Sequence, residues 1–230
     1  MRHDYREDIV KRKRDKEYWG NWSNWNILYK TLAYETSSSK DVERYSYVRN
    51  EILEYYDVKI SDYVGKNYSF DIMNGWWYCF KELFCLDSRK SSETKAFMER
   101  MKQEIYKINR KDALVEYLVE NYCLKKETAG CLIEYLEVVY TIGNIVPVPK
   151  GANRHADNLD SWEYKINSSF LKYQGSDYND YFHFNEYTNM IFKIDKENKE
   201  DSIFQYMNTR ISLIKNRGEF YRIKGNKDNR

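Results

Sequence analysis

The sequence predicts a mostly α fold, a single compact helical domain of about seven to nine helices with one long ordered loop and at most a minor β element. Through much of the chain, apolar residues recur at the i, i+3 and i+4 spacing of amphipathic helices. The 230 residues include 9 glycines and 2 prolines, far below the usual shares of ~7% and ~5%. A turn-rich β-sandwich, a collagenous chain and a flexible linker protein are therefore disfavoured.

The composition favours a folded chain with its own core. Aromatic residues make up 17% of the sequence, which argues against wholesale disorder despite 32% charged residues and a mean hydropathy of −0.87. The length allows one domain, 1–230, with a subdivision into a helical region 1–140 and a loop-bearing region 141–230 as the alternative. The 38 basic and 36 acidic residues leave a net charge of +2, so no global field favours nucleic acid or a membrane surface.

The sequence predicts a cytoplasmic protein with no membrane partner. Residues 1–16 are charged throughout and contain no apolar core of signal-peptide length, and no run of about 18 apolar residues follows. The cysteines form no Cys-x-x-Cys pair, so buried, reduced thiols are expected rather than a zinc site. They are Cys79, Cys85, Cys123 and Cys131.

Charged and aromatic runs near the two ends of the chain allow two interpretations each. The basic run 11–14 is nearly balanced by neighbouring acids, so it is either a solvated helix face or a nucleic-acid contact. Trp19, Trp22 and Trp25 recur every third residue, which suits packing into a core as well as stacking on bases. Residues 205–230 carry seven basic and two acidic side chains and form either a phosphate contact or a frayed end.

Helices in the central region are predicted from apolar stripes and caps. They span 41–56, about 70–85, 92–108, 112–122 and 127–140. Ser91 or Ser92 can cap the third of them. In that helix Phe97, Met101 and Ile105 share one face. A β-rich fold is disfavoured because the stretches between the helices are too short to hold a sheet.

Two further helices are predicted towards the C-terminus. Asp160 or Ser161 can cap the first of them, and the stretch 187–194 then reads as a short strand or a helix turn. The last helix is predicted over about 201–216, with Gly218 as its stop. Its apolar stripe comprises Ile203, Met207, Ile211 and Ile214.

The loop 140–160 stands apart from the helices. It contains both prolines of the chain, Pro147 and Pro149. Proline fixes its own φ and pushes the preceding residue towards extended geometry, so the stretch 145–149 is predicted to be extended and stiff. About twenty irregular residues in a compact domain are usually functional or disordered, and the composition disfavours disorder. A function for the loop is therefore favoured.

Polar side chains in this loop can bind a ligand. Asn144 and Asn153 can pin loop backbone or read a ligand edge through their amide groups. Arg154 offers a bidentate fork for a carboxylate or a phosphate. The alternative is a loop held by its own amides, with Arg154 paired to Asp157 or Asp160.

His155 is the candidate for acid–base chemistry in the loop, with Asp157 and Asp160 as its catalytic partners. His183 lies among aromatic residues, a pattern more typical of a packed histidine than of a ligand. The sequence contains no Gly-x-Gly-x-x-Gly, no phosphate-binding Gly-x4-Gly-Lys, no His-Glu-x-x-His and no Gly-x-Ser-x-Gly motif.

The loop resembles an uncharacterised bacterial family with the pattern Thr-Ile-Gly…Pro…Asn…Arg…Asp. The residues that match it are Thr141, Ile142, Gly143, Pro147, Asn153, Arg154 and Asp160. The resemblance covers roughly residues 139–217 and brings no established activity with it. It implies a bacterial or phage setting with a link to defence systems.

A second resemblance is to the closing half of the HNH nuclease domain in GmrSD-type restriction enzymes. It is carried by 141–144, by Asn153 and by an aromatic-x-x-Lys spacing that begins at Trp162. In that family a Gly-Asn turn supports a metal-bearing ββα unit, and an upstream Asp-His or Glu-His dipeptide activates water. No histidine lies between His3 and His155, so this chain lacks the dipeptide. The resemblance implies a nuclease scaffold that has lost the reaction.

Three hypotheses for the function remain open at this point. The first is a binding module that uses the loop to recognise an anionic ligand, nucleic acid or nucleotide, without a cofactor. The second is a divergent metal-dependent nuclease in which a divalent metal works with His155 and with Asp157 or Asp160. The third is a structural protein whose aromatic surfaces bind a protein partner or a second copy of the chain.

Overall fold

The computed structural model describes residues 26–36, 68–72, 75–139, 142–149 and 194–227. Six α-helices and two short strands lie in these ranges, and the mostly α class is confirmed. The elements are α1 (Ile27–Thr36), β1 (Tyr68–Ile72), α2 (Gly75–Leu83), α3 (Ser92–Ile105), α4 (Lys111–Tyr122), α5 (Lys126–Val138), a 3-10 turn (Ile142–Asn144), β2 (Ile145–Pro149) and α6 (Lys199–Lys227). The domain bounds stay a prediction.

The six helices share one hydrophobic core with α5 near its centre. Eight of the 13 residues of α5 are buried, and both α1 and α6 pack against this helix. Among the described residues the largest fully buried side chains are those of Tyr29, Trp76, Phe80 and Tyr135, which belong to the core, and the charged side chain of Arg210. Burial of an apolar side chain of the size of phenylalanine contributes about 1.5–3 kcal/mol, so this core is the main source of stability.

The start of α3 has the predicted serine cap. Ser91 lies in extended geometry, and its Oγ accepts a hydrogen bond of 3.1 Å from the backbone N–H of Thr94. This bond satisfies one of the backbone donors that a helix leaves unpaired at its first turn. The predicted helices over 112–122 and 127–140 are confirmed as α4 and α5, with bounds that differ by one or two residues.

The start of α2 differs from the prediction. The periodicity predicts a helix from about residue 70, but Tyr68–Ile72 is a strand and the helix begins at Gly75. Strand β1 pairs with β2 in antiparallel register from Tyr68 opposite Pro149 to Ile72 opposite Ile145. The apolar pattern is compatible with either element, and pairing with β2 decides between them.

The last helix runs beyond the predicted stop. It covers Lys199–Lys227, so Gly218 lies inside α6 and does not end it. Its predicted apolar stripe is confirmed, since Ile203, Met207, Ile211 and Ile214 are all buried. Arg210 and Arg217 are buried as well, so these two members of the basic C-terminal segment face the interior.

Several predicted features lie outside the described residues. These are the basic run 11–14, the tryptophans at 19, 22 and 25, the helix over 41–56, the helix that begins at 160 or 161, and all but the last residue of the strand or helix turn over 187–194. Within the parts of the chain that the structure describes, no helix combines the length and the apolar character needed to cross a membrane.

Candidate functional site

The base of the predicted ligand loop begins at the end of α5. Asn144 is fully buried, and its Nδ2 donates a hydrogen bond of 2.7 Å to the carbonyl oxygen of Val139. Val139 is the residue that caps α5, and its carbonyl has no partner within the helix. Asn144 therefore ties the first turn of the loop to the end of α5. Its contact with a ligand stays a prediction.

Gly143 brings the loop base against the backbone of α6. An ideal Cβ at this position would lie 2.0 Å from the carbonyl oxygen of Ile214 and 2.8 Å from the backbone nitrogen of Gly218. Both are backbone atoms of a helix and cannot move aside as a flexible side chain can. Any residue other than glycine would therefore push the loop base away from α6.

Arg217 holds the same turn through a hydrogen bond. Its Nη1 donates a hydrogen bond of 3.0 Å to the carbonyl oxygen of Gly143. The residue as a whole is buried, with 3% of its surface exposed. Hydrogen bonds from a charged donor are stronger than neutral ones, and a buried guanidinium left without partners is costly. We call the group Val139, Gly143, Asn144, Arg217 and Gly218 the loop anchor.

Strand β2 continues directly from the loop anchor, and its extended course confirms the prediction for Ile145–Pro149. Successive backbone N–H groups of a strand point to opposite edges, so Pro147 and Pro149 share one edge. Neither proline has an N–H, and the donors at Val146 and Val148 serve the other edge. The spacing of the two prolines therefore suits a strand with one partner, which is β1.

The remaining predicted site residues lie outside the described residues. They are the ligand-binding candidates Asn153 and Arg154 and the catalytic candidates His155, Asp157 and Asp160. Of the predicted site, the structure thus places Asn144 and the strand that leads to the others, and their roles stay predictions. Asn153 follows the end of β2 by four positions.

A second polar cluster lies between α1 and the turn that follows α2. The carboxylate of Glu35, with its side chain 1% exposed, is 3.3 Å from Nη1 of Arg89. The guanidinium carbon of Arg89 lies 4.6 Å from the ring centre of Trp77 and 5.6 Å from that of Trp76. This arrangement is an ion pair combined with cation–π contacts, and it joins two distant segments of the core.

A third cluster is formed by phenols on α4. The carboxylate of Glu104 accepts hydrogen bonds from the hydroxyl groups of Tyr117 and Tyr122. Burial raises the pKa of Tyr117, and the hydrogen bond to Glu104 raises it further. Burial also raises the pKa of Tyr122. Both phenols are therefore neutral donors near pH 7, a structural role rather than a basic one.

The cysteines divide into two pairs. Cys79 and Cys131 are buried as predicted, whereas Cys85 and Cys123 are exposed, which corrects the prediction that all four are buried. The two exposed cysteines each follow a helix and have left-handed φ values of 52° and 56°. A residue in this conformation ends the helical course of the backbone, and aromatic flanking sequence does not reveal where that happens. In the described ranges, no group of three or more His, Cys, Asp and Glu side chains is arranged to hold a metal ion.

The part played by Arg217 is not among the predictions from the sequence, in which this residue belongs to the basic C-terminal segment. A signal for it exists, since Met207, Arg210, Ile214 and Arg217 follow one another at steps of three and four. Arginines that continue an apolar stripe lie on its buried face, and this spacing is the signal that predicts burial of Arg210 and Arg217.

Comparison with known proteins identifies no relative: no protein-family model, no curated protein and no solved structure matches the chain. The two resemblances drawn from the loop residues therefore stay predictions.

Proposed function

We propose that the chain is a binding module that recognises an anionic ligand, a nucleic acid or a nucleotide, through the loop 141–160. The observation that carries the proposal is the attachment of the loop base. Gly143 packs on the backbone of α6, Arg217 donates to the carbonyl of Gly143, and β2 pairs along its length with β1.

Attachment of the base matters for binding because ordering a free loop has an entropic cost. A loop whose first residues are already held loses less conformational entropy when a ligand binds, and this smaller entropic cost increases the affinity. The polar residues Asn153 and Arg154 follow β2 within five positions. Amide and guanidinium groups are those that pair with phosphate oxygens and base edges.

The test is a titration of fluorescently labelled DNA and RNA oligonucleotides, and of a labelled nucleotide, followed by anisotropy. We expect Arg154→Ala to weaken binding about tenfold, the size typical of losing a hydrogen bond to a charged group. Arg100→Ala removes the same charge from an exposed position on α3 and is the matched control, with affinity unchanged. Equal affinities of the wild type and Arg154→Ala would exclude the loop as the binding site.

The same titrations in Mg²⁺, Mn²⁺ or Zn²⁺ separate binding from hydrolysis. Intact oligonucleotide at the end of each titration is the outcome expected for a binding module. Cleavage that depends on the metal and disappears in His155→Ala would replace the proposal with the nuclease hypothesis.

A further inference from the structure

We propose that Arg217 is a positioning residue for the ligand loop: from α6 it fixes the pose of β2, the strand that leads into the loop. The inference rests on the proposed function. It deepens that function because it assigns a part of the binding machinery to a helix that does not belong to the loop.

The hydrogen bond of Arg217 joins α6 to a distant residue at the loop base. Arg217 and Gly143 are 74 positions apart in the chain, and their hydrogen bond of 3.0 Å is buried. The bond falls on the residue two positions before β2, next to Asn144, whose own amide is engaged with Val139. The two side chains thus hold consecutive residues of one turn, Arg217 from α6 and Asn144 through the end of α5.

The same turn is also closely packed against α6. The backbone of Ile214 and Gly218 lies so close to Gly143 that an added Cβ would overlap it, which leaves little room for a shift towards α6. The hydrogen bond from Arg217 opposes a shift away from α6. The close packing and the hydrogen bond together restrict the turn to one position, and this position sets the direction in which β2 begins.

The charge of Arg217 is buried. Arg217 is only 3% exposed, so its charge is desolvated at a cost in free energy, whereas an apolar side chain would fill the same space without that cost. An arginine at this position therefore fits a role in which the direction of β2 matters more than the stability of α6.

Hydrogen exchange and ligand titration of the full chain test the inference. We expect Arg217→Met to raise the exchange rate of the amides at Val146 and Val148, the two donors that face β1, at least about tenfold, as for loss of a bond to a charged donor. Exchange in α5 is expected to stay unchanged. Affinity for the labelled oligonucleotide is expected to fall at least about fivefold, the lower end of coupling between distant sites.

Two variants separate positioning from a general loss of stability. Lys215→Met removes the same charge two positions away on α6, where the lysine is paired with Glu134, and it should leave both exchange in β2 and affinity unchanged. Arg217→Lys keeps a charged donor and should restore part of the affinity. It also serves as the test if Arg217→Met does not fold.

The outcomes distinguish this inference from the function on which it rests. Unchanged exchange in β2 of Arg217→Met overturns the inference. So does unchanged affinity of Arg217→Met while Arg154→Ala binds weakly, and in that case the proposed function stands. Absence of binding by the wild type overturns both.

Discussion

Gly143 shows how one residue can be required by the atoms that it touches. Its Cα faces the carbonyl of Ile214, where a Cβ would come within 2.0 Å. Gly130, by contrast, lies inside α5 with nothing within 4 Å of its own ideal Cβ. The two glycines offer a matched pair, since one is required for close packing and the other carries only the entropic cost of glycine in a helix.

The same substitution is therefore expected to have opposite effects at these two positions. Gly143→Ala should lower the free energy of unfolding by about 1–3 kcal/mol, because the helix backbone cannot yield to the new methyl group. Gly130→Ala should raise it by about 0.5–1 kcal/mol. Urea unfolding followed by far-UV circular dichroism measures both. Equal stabilities of the two variants would contradict the close approach of the loop to α6.

At the scale of elements, the helices differ in how their first turns are capped. The side chain of Ser91 caps α3, whereas the capping positions of α4 and α5, Arg110 and Lys125, make no side-chain cap bond. At α5 a neighbouring helix takes over, because Glu200 of α6 accepts a hydrogen bond of 2.7 Å from the backbone N–H of Lys125. At the start of α4 the side chain of the capping residue, Arg110, makes no hydrogen bond to the backbone of the first turn.

Substitutions at the first two of these caps should therefore change stability in opposite directions. Ser91→Ala is expected to lower the free energy of unfolding by about 1 kcal/mol, because the N–H of Thr94 loses its partner. Arg110→Ser is expected to raise it, since the new hydroxyl supplies a cap and the exposed pair with Asp112 contributes little. Thermal unfolding by calorimetry ranks the three proteins. A lower midpoint for Arg110→Ser than for the wild type would contradict this account of α4.

At the scale of the whole molecule, buried acids make stability depend on pH. Burial raises the pKa of Cys131 from its ordinary value of 9.0 to about 12. Between these two values the unfolded chain has released the proton and the native chain still holds it. The unfolded state then binds fewer protons, so stability falls as pH rises. The stabilisation is complete below pH 9 and is lost towards pH 12.

Urea unfolding between pH 8 and pH 10.5 tests this dependence. The midpoint is expected to fall above pH 9 in the wild type, and Cys131→Ala should make the fall shallower because one linked proton is removed. Cys85→Ala removes an exposed thiol and is the control, with a pH dependence like that of the wild type. The raised pKa of Tyr117 acts with the same sign above pH 10 and remains in all three proteins. A slope unchanged in Cys131→Ala would contradict burial of this thiol.

The helices from α3 to α5 were predictable because their signals are local. A serine cap and an apolar stripe lie within a few residues of the elements that they define, as Ser91 does for α3. The extended course of β2 was predictable for the same reason, since proline restricts its own backbone and that of the residue before it. The first part of the candidate site was thus visible as a loop with unusual geometry.

The features of β1, α6 and the loop anchor that the sequence left open depend on a distant partner. Ile72 belongs to a strand because Ile145 lies opposite. Gly218 lies inside α6, where its backbone nitrogen is close to Gly143 at the loop base. The role of Arg217 depends in the same way on a carbonyl group 74 positions away. By itself the sequence determined the mostly α class, the apolar faces and the stiff strand, because these follow from the local restriction of the backbone and from periodicity. Only the tertiary structure decided which backbone the loop base rests on, because long-range packing and hydrogen bonds select among conformations that local preferences leave nearly equal in free energy.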